Sequence, residues 1–438
     1  MQTAIPSTTY RSGGILAEFS MKILVIGGGG REHAIIWKLN QSPLVKEIYC
    51  APGNAGIGKI AKNVNISSDN IERLVEFSLE TGINLTIVGP EAPLVEGVVD
   101  KFRQNGLKIV GPTEHAAQLE GSKIFAKGFM KKYNIPTARY DVANTFSEAS
   151  AIIENYSCPV LVKADGLAAG KGAFVCKSRE EALSKAKGLL EEKILGKSGD
   201  NIVIEEFLYG TETSILCFID GNSIVPMANS QDHKRAFDGD KGEMTGGMGA
   251  YSPNHVYTEE IERQTEMEIL QPTLLGIQKE KMDYRGIIYA GLMITKEGPK
   301  VLEYNVRFGD PETQAVLPRL ETDLAEIFNK IVDRKLEDVD INWSEEGTVC
   351  VMLASEGYPG SYKKGLEIKG LEDIPEDLLV FHSGTAEDGK RVTTNGGRVL
   401  GIVGRGKTID EAREKVYKNI DRISFEGAFY RTDIGVER

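Results

Sequence analysis

Residues 300–312 carry the sequence KVLEYNVRFGDPE, in which an apolar strand pattern places a polar side chain at every second position. Side chains at i, i+2 and i+4 of a strand share a face, so Glu303, Asn305 and Arg307 are predicted to project together. Leu302 and Tyr304 are predicted to face the other way. Carboxylate and amide oxygens suit Mg²⁺ that also carries nucleotide phosphates, and a guanidinium can clamp a phosphoryl group. A purely structural role would not require this polar face, so the segment predicts phosphate chemistry.

A second segment, residues 160–172, has the sequence VLVKADGLAAGKG, an apolar strand followed by a glycine-rich loop. The strand delivers Lys163 to the start of that loop. Glycine lacks the Cβ that would block close approach, so backbone N–H groups can wrap phosphate oxygens, and lysine adds positive charge. The loop residues with these properties are Gly166, Gly170, Lys171 and Gly172. Taken alone, the pattern is equally typical of a β-hairpin with a glycine-rich turn.

Residues 202–212, IVIEEFLYGTE, form a predicted strand that ends in carboxylates. The pattern is similar to an interdomain hinge, where an adenine edge bonds to backbone and a carboxylate accepts from ribose hydroxyls. A solvated acidic strand end is the alternative.

A third glycine-rich segment, residues 238–249, follows the polar sequence QDHKR of residues 231–235. It is too rich in glycine for a helix and too long for a simple hairpin turn. We predict a loop that closes over substrate, against the alternative of a disordered surface connection.

The N-terminal part of the chain alternates short apolar strands with helices, which predicts a doubly wound parallel sheet up to about residue 122. The predicted strands are residues 22–26, 47–51, 85–88 and 108–110. Ligands of such sheets bind at the carboxyl ends of the strands, which here carry turns at residues 27–30, 52–54 and 89–91. The first turn, GGGG before a helix, suits a phosphate at a helix N-terminus, although a structural tight turn has the same composition.

This first turn does not fit a dinucleotide fingerprint. The third glycine of that motif would fall on Glu32 or His33, and the second strand ends in Ala51-Pro52, where an acidic residue should hold a ribose. An NAD-dependent oxidoreductase is therefore not predicted.

A literal Walker A string, GIVGRGKT, occupies residues 401–408. The predicted strand at residues 399–403 runs through its first glycine, which leaves no room for a phosphate-wrapping loop. Thr408 with Glu411 makes a capping box, and only thirty residues follow the string. We interpret it as structural.

The chain divides into several predicted units. Residues 140–207 have the pattern of a small α+β lid, residues 339–346 form a polar linker, and the segment after it is rich in glycine and short strands. The predicted units are a disordered leader at 1–20, a doubly wound domain at 21–122, a central domain at 123–338 that includes the lid, and a β-rich domain at 347–438. The fold class is thus α/β and α+β with multiple domains.

Composition excludes several classes of protein. With 438 residues, roughly two to four domains are expected. A net charge of −12 disfavours a nucleic-acid binder. The five cysteines stand far apart, which argues against a zinc site or disulfide framework and suits a reducing cytosol. No apolar run is long enough to span a membrane, and residues 1–20 lack the features of a signal peptide.

Eight strings in register carry a family resemblance. They are GGGGREHA from Gly27, APGNAG from Ala51, GPEAPL from Gly89, GSKIFAK from Gly121, VKADGLAAGKG from Val162, QDHKRAFDGDKG from Gln231, TGGMGAYSP from Thr245 and EYNVRFGDPETQ from Glu303. The chain resembles the ATP-grasp ligases, and in detail the glycinamide ribonucleotide synthetase family, over residues 21–438.

The resemblance implies that glycine, ATP and 5-phosphoribosylamine give glycinamide ribonucleotide, ADP and phosphate in de novo purine synthesis. Glycine would first become glycyl phosphate, and the amine would then displace the phosphate. The chemistry is mostly positioning and charge neutralisation. A cytoplasmic monomer that uses ATP with Mg²⁺ or Mn²⁺ is expected.

By matching position, the resemblance also implies residue roles. The ATP phosphates would contact Lys123, Lys163 and the loop from Gly166 through Gly170 and Lys171 to Gly172. Glu205, Glu206 and Leu208 would hold adenine, Glu212 the ribose, and Glu303 and Asn305 the metal. Arg307 would stabilise the acyl phosphate, with Lys163 and Asp310 as further catalytic residues. The phosphoribosylamine pocket would comprise Gly28, Gly29, Gly30, Asn54, Pro90, Glu91 and Glu312.

The sequence departs from relatives such as biotin carboxylase at one point. Residues 287–295 contain no acidic residue, so the ligands of a second metal are not identified. A different ATP-grasp ligase would lack the strings at Gly27 and Gly89, and an ATP-binding regulator that had lost catalysis should have lost Glu303, Asn305 or Arg307. All of these are present.

Overall fold

The computed structural model of the protein describes residues 20–167 and 172–436. The predicted leader before Ser20, the loop residues Gly170 and Lys171, and the last two residues of the chain lie outside the described residues. None of the helices in these two ranges combines the length and the apolar character that a membrane crossing requires.

Short strands make up several sheets. In chain order they are β1 Met21–Gly27, β2 Val45–Pro52, β3 Lys62–Asn63, β4 Leu85–Val88, β5 Ile109–Pro112, β6 Tyr140–Ala143, β7 Val160–Ala164, β8 Ala173–Cys176, β9 Ile202–Glu206, β10 Thr211–Ile219, β11 Ile224–Pro226, β12 Gln231–Asp232, β13 Arg235–Phe237, β14 Lys241–Met244, β15 Gly249–Ser252, β16 Tyr284–Thr295, β17 Gly298–Asn305, β18 Gly347–Ser355, β19 Leu379–His382, β20 Thr385–Asp388, β21 Arg391–Thr394, β22 Arg398–Gly406 and β23 Ala428–Phe429.

Helices pack against these sheets. They are α1 Gly30–Leu39, α2 Ile71–Thr81, α3 Glu91–Val95, α4 Val98–Gln104, α5 Glu114–Gly121, α6 Lys123–Lys132, α7 Phe146–Ile153, α8 Arg179–Leu190, α9 Glu259–Thr265, α10 Gln271–Lys279, α11 Glu312–Val316, α12 Leu324–Val332 and α13 Ile409–Asn419. Single 3-10 turns lie at Ile57–Lys59, Gly196–Gly199, Leu317–Arg319, Leu336–Asp338, Leu371–Asp373 and Ile420–Arg422, and a π-helical turn at Glu266–Leu270 joins α9 to α10.

The largest sheet has nine strands and confirms the predicted doubly wound, parallel N-terminal part. Strands β3, β2, β1, β4 and β5 follow one another in this order, all parallel. Ile23 and Val25 belong to one apolar cluster and Leu24 and Ile26 to another. Both faces of β1 are therefore covered, as a parallel sheet requires. The predicted fold class is confirmed.

The same sheet continues into the central part of the chain by antiparallel pairing. The start of β16 pairs with β5, with Tyr284 opposite Pro112, and the rest of β16 pairs with β10 and β17. Just beyond the end of β17, the Arg307 guanidinium lies 3.1 Å from Glu91 Oε2 at the start of α3, which follows the carboxyl end of β4, where a doubly wound sheet binds its ligands. This continuity brings the polar face of β17 next to the N-terminal turns.

The segment predicted as a small α+β lid contains a second, antiparallel sheet with the strand order β6-β9-β7-β8. Helices α7 and α8 cover it, and their apolar residues form a core of their own with those of the strands. The lid thus has its own core, separate from that of the nine-stranded sheet.

A six-stranded sheet forms the C-terminal part, in the order β12-β15-β18-β22-β19, with β23 paired to β18. Strands β12 and β15 come from the central part of the chain, at residues 231–252. The sequence did not predict this, because the strands are two and four residues long and the longer one, β15, pairs with β18 about a hundred residues later.

The prediction for residues 238–249 was wrong in its geometry. Strands β13 and β14 form a β-hairpin, with Arg235 opposite Met244 and Phe237 opposite Lys241. The backbone turns at Gly239 and Asp240, whose φ angles are 71° and 51°. Positive φ at consecutive residues permits a tight turn, so much of the apparent loop is strand.

The Walker A string is structural, as predicted. Strand β22 runs through Gly401 without a loop, and the Thr408 side chain caps α13 by accepting a hydrogen bond from the Glu411 N–H over 3.2 Å.

Candidate active site

A cleft of about 1160 Å³ lies between the nine-stranded sheet, the lid and the C-terminal sheet. Most residues predicted for the site line it. They are Pro90, Glu91, Lys123, Lys163, Gly172, Glu205, Glu206, Leu208, Glu212, Glu303, Asn305, Arg307, Asp310 and Glu312. Within the described chain, the cleft lining does not include Gly28, Gly29, Gly30, Asn54 or Gly166.

Arg307 follows β17 and is held by carboxylates. Its Nε donates to Glu91 Oε2 over 3.1 Å, and its Nη2 lies 2.9 Å from Glu120 Oε1 and 3.2 Å from Asn305 Oδ1. Burial works against ionisation of Glu91, but Arg307 and Arg31 outweigh it and lower the pKa of that carboxyl. In Glu120 burial prevails over Arg307, and the pKa is raised. The cleft therefore holds a guanidinium between an ionised carboxylate and one that resists ionisation.

Strand β17 contains a β-bulge that corrects the predicted direction of Leu302. Glu303 pairs with Gly291 and Val301 with Leu292, which leaves Leu302 as the extra residue. A bulge redirects side chains, and Leu302 lines the cleft beside Leu208 and Met293. The result is a small apolar surface between the lid and β17.

Lys234 neutralises the acidic groups near Glu303. Its Nζ lies 3.6 Å from Glu212 Oε2 and 3.8 Å from Glu303 Oε1. Burial disfavours ionisation of Glu303, but Lys234, Lys163 and Lys123 outweigh it and lower the pKa of the carboxyl. Glu303 is thus kept as an anion although it lies inside a cleft.

The oxygens of Glu303 and Asn305 fit a magnesium ion. In the described residues no group of three or more His, Cys, Asp or Glu side chains could hold a metal alone. Mg²⁺ commonly takes only one or two protein ligands and completes its shell with phosphates and water. The donor set of β17 suits a metal that enters with a nucleotide.

A buried charged triad lies on the lid side of the cleft. Lys163 Nζ donates to Glu205 Oε2 over 2.9 Å, and Lys127 Nζ lies 3.2 Å from the same oxygen. Burial lowers the pKa of Lys127 to about 8. Burial opposes ionisation of Glu205, but Lys163 and Lys127 lower the pKa of its carboxyl. Glu205 Oε1 is buried without a hydrogen-bond partner in the described residues, so one acceptor is available there.

Hydrogen bonds to the start of α6 hold Asp165, the residue before the first glycine of the glycine-rich loop. Asp165 Oδ1 accepts from Ser122 Oγ over 2.9 Å and from the Ile124 N–H over 2.8 Å, and the Lys123 N–H donates to Asp165 O over 3.1 Å. Helix α6 and the loop are thereby joined. A Cβ on Gly166 would lie 2.9 Å from Ser198 Oγ and 3.1 Å from Ser198 Cα, so close packing favours glycine here.

The side chain of Asn54, predicted for the substrate pocket, bonds to other parts of the protein. Its amide donates to Gly28 O over 2.9 Å and His382 O over 2.7 Å, and its Oδ1 accepts from the N–H groups of Gly56 and Ile57. All its hydrogen-bonding capacity is used. The side chain instead joins the first turn to the C-terminal part of the molecule.

The GGGG turn, residues 27–30, is also in close contact with other residues of the protein. The Gly29 N–H donates to Glu32 Oε2 over 2.5 Å, and a Cβ on Gly30 would lie 2.5 Å from Ser383 Oγ. Close packing therefore explains these glycines. Arg31, at the start of α1, reaches the cleft and donates to Phe308 O over 3.1 Å.

Sequence reasoning missed Glu120, Lys127, Arg31 and Arg398. Arg398 comes from the C-terminal strand β22 and donates to Asp310 O and to Gly246 O, both over 2.7 Å. It holds the pKa of Asp310 below its usual range against the effect of burial. The strings at Gly27 and Gly121 contain two of these residues, Arg31 and Lys127, but the groups that they contact at the cleft, Phe308 O and Glu205, lie far away in the sequence.

Family models and individual relatives that are similar to this chain all indicate the same family. The family models described as phosphoribosylglycinamide synthetase match with the N domain at residues 21–120, the ATP-grasp (A) domain at 121–313 and the C domain at 348–437. The chain is 50% identical to a phosphoribosylamine–glycine ligase of Caldanaerobacter subterraneus, covering 94% of this chain and 99% of the relative. It is also 50% identical to one from Clostridium acetobutylicum, covering 95% and 99%.

Solved structures agree with this result. A phosphoribosylamine–glycine ligase of Thermotoga maritima is similar with a TM-score of 0.81 and 36% identity, covering 94% of this chain and 100% of that chain. A Campylobacter jejuni biotin carboxylase complex has a TM-score of 0.72 at 13% identity, covering 94% and 93%. The second likeness shows the fold alone.

Proposed function

The chain belongs to the phosphoribosylglycinamide synthetase family, and we propose that its cleft activates glycine as glycyl phosphate and then transfers the glycyl group to 5-phosphoribosylamine. The overall reaction is the ATP-dependent ligation of glycine in purine biosynthesis.

In the first step a glycine carboxylate oxygen bonds to the γ-phosphorus of ATP, and the bond between that phosphorus and the β,γ-bridging oxygen breaks to release ADP. In the second step the amine nitrogen bonds to the glycyl carbonyl carbon. The carbon–oxygen bond to phosphate breaks, phosphate leaves, and the nitrogen loses a proton. Atoms and charge balance without an external oxidant or reductant.

The chain's own residues position these groups. The apolar surface of Leu208, Met293 and Leu302 can hold an adenine face, with Glu205 Oε1 as a buried acceptor for its amino group. Lys123 and Lys163 line the same cleft and can neutralise phosphates. A metal bound by Glu303 and Asn305 would supply charge neutralisation at the phosphates. Arg307 can stabilise the acyl phosphate if substrate displaces Glu91 or Glu120 from it.

The observation that carries the proposal is the gathering of an apolar base site, several cations and two hard oxygen ligands along one cleft. The acceptor would bind at the end lined by Pro90, Glu91, Asp310 and Glu312. Arg31 and Arg398 are the neighbouring cations. We further propose a cytoplasmic monomer; its five cysteines are unpaired thiols, as a reducing compartment allows.

The reaction is tested by measuring ADP release with ATP and Mg²⁺, adding glycine and phosphoribosylamine separately and together. Full turnover is expected only with both. Turnover that ignores glycine would contradict the substrate assignment.

The intermediate is tested with glycine carrying oxygen-18 in its carboxylate. We expect one labelled oxygen in the released phosphate, because the carbon–oxygen bond of glycyl phosphate breaks. Label retained entirely outside phosphate would exclude that intermediate. Glu303→Ala should abolish turnover with the fold intact, whereas Glu297→Ala, in the exposed turn before β17, should retain it.

A further inference from the structure

The C-terminal tail, residues 431–436, forms a buried ionic contact with the hairpin of β13 and β14. Arg431 has no exposed surface. Its Nε and Nη2 donate to the two carboxylate oxygens of Asp433 over 2.7 and 2.8 Å. Its Nη1 lies 3.0 Å from Asp240 Oδ1 at the hairpin tip and donates to Arg235 O over 3.0 Å. A buried guanidinium with fixed partners holds both segments in one geometry.

Further bonds join the same two segments. The Thr432 N–H donates to Asp238 Oδ1 over 2.8 Å, and Thr432 Oγ1 donates to Asp238 Oδ2 over 2.5 Å. The Gly239 N–H donates to Asp433 Oδ2 over 2.9 Å. The tail thus contacts the whole tip of the hairpin, residues 238–240.

On its other side the tail is attached to α13. Tyr417 Oη donates to Arg431 O over 2.8 Å and accepts from the Ile434 N–H over 3.1 Å. Arg413 Nη2 donates to Thr432 O over 2.8 Å. The tail therefore connects the hairpin to a helix that is packed on the C-terminal sheet.

The hairpin carries one wall of the cleft. Lys234, Met244 and Thr245 line it, and so does Val436 from the tail. The Thr245 N–H and Oγ1 both donate to Lys234 O over 2.8 Å. The base of the hairpin therefore fixes the backbone of Lys234, whose ammonium lies near Glu303 and Glu212.

We propose that Arg431 is a positioning residue of the ligase, which fixes the hairpin of β13 and β14, and with it Lys234, against the reacting end of the cleft. The inference rests on the proposed function, since it assigns a role in that reaction to a residue outside the cleft lining.

The test compares Arg431→Met, Arg431→Lys and the matched control Arg422→Met in the full chain. Arg422 is exposed, precedes Arg431 by nine positions in the sequence and donates to Asp373 O over 3.2 Å. Steady-state ADP release gives kcat and the KM for ATP and for glycine. Hydrogen exchange of residues 235–245, with β1 as an internal reference, reports the hairpin directly, and thermal unfolding reports the fold.

For Arg431→Met we expect kcat/KM for ATP to fall about 100-fold, as small misplacements in active sites do. Faster exchange in residues 235–245 and unchanged exchange in β1 should accompany the fall. Arg431→Lys should recover part of the activity, and Arg422→Met should match the wild type. A folded Arg431→Met protein with wild-type kinetics, or with lost activity but an unchanged hairpin, would overturn the inference.

If Arg431→Met does not fold, Thr432→Val serves the same purpose. It removes one hydrogen bond to Asp238 at an exposed position. Faster hairpin exchange with a raised KM for ATP is expected, and unchanged values of both would overturn the inference. Wild-type enzyme without glycine-dependent ADP release would instead refute the proposed function, so the two failures are distinguishable.

Discussion

At the scale of single residues, Glu205 is the anion that separates two buried ammonium groups. Glu205→Gln leaves Lys127 and Lys163 adjacent without a counter-charge, and removing one partner of a buried ion pair costs roughly 3–5 kcal/mol. Lys127→Met leaves the Lys163–Glu205 pair intact, and the Lys127 charge is costly to keep, since burial lowers the pKa of that ammonium to about 8. We expect a large loss of unfolding free energy for the first variant and less than about 1 kcal/mol for the second. Urea unfolding at pH 7 checks this, and equal losses would contradict the charge balance.

Asp232, on β12, gives a pH-dependent prediction. Burial raises its pKa to about 7, with Lys234 opposing and Glu312 adding to the rise. A carboxyl with a folded pKa above its unfolded value of 3.8 destabilises the protein as the pH rises between the two values, because the folded state holds the proton longer. Asp232→Asn should therefore raise the melting temperature most at pH 8 and less at pH 5. Melting curves without nucleotide test this; a lower melting temperature at pH 8 would count against it.

The sequence predicted those site residues whose spacing is local. Glu303, Asn305 and Arg307 could be identified because a strand repeats every two residues. Glu120 could not, because the hydrogen bond that it accepts from the Val306 N–H spans 186 positions. The internal hydrogen bonds of Asn54 could not be predicted for the same reason, since its partner His382 lies 328 positions away.

At the scale of elements, the bulge in β17 directs the Leu302 side chain into the cleft, whereas regular strand alternation would point it away. Leu302→Ala should raise the KM for ATP about tenfold, because burying a leucine contributes roughly 1.5–3 kcal/mol. The contact is the same in ground and transition states, so kcat should change little. Leu79→Ala, at an exposed site of α2, is the control. A fall in kcat at constant KM would argue against an adenine contact.

The cap of α13 supplies a second prediction at this scale. Thr408→Ala removes the hydroxyl that accepts from the Glu411 N–H, which should cost about 1 kcal/mol of stability. The KM for ATP should not change, because residues 401–408 form a strand end and a helix cap. Calorimetry and steady-state kinetics measure the two effects. A tenfold higher KM would mean that nucleotide binds there after all.

Strand β22 and helix α13 were predictable because their signals are local, an apolar run and a capping pair. The hairpin of β13 and β14 was not, since its strands contain Lys241 and Gly242 and are mostly exposed. Its position depends on the tail around Arg431, about 190 residues later. Composition alone could not distinguish it from a loop.

At the scale of the whole molecule, one cleft collects groups from all parts of the described chain. Pro90 and Glu91 come from the N-terminal part, Lys163 and Glu205 from the lid, and Arg398 from the C-terminal sheet. Composition and alternating strands predicted the doubly wound sheet, but its continuation into β16 and β17 depends on pairing between distant segments. The predicted domain boundaries at residues 122, 338 and 347 stay predictions.

The most direct test is a crystal structure with Mg²⁺, glycine and a non-hydrolysable ATP analogue. We expect the adenine against Leu208 and Leu302, the metal on Glu303 and Asn305, and the γ-phosphate facing Arg307. A triphosphate bound elsewhere, for example at residues 401–408, would contradict the account.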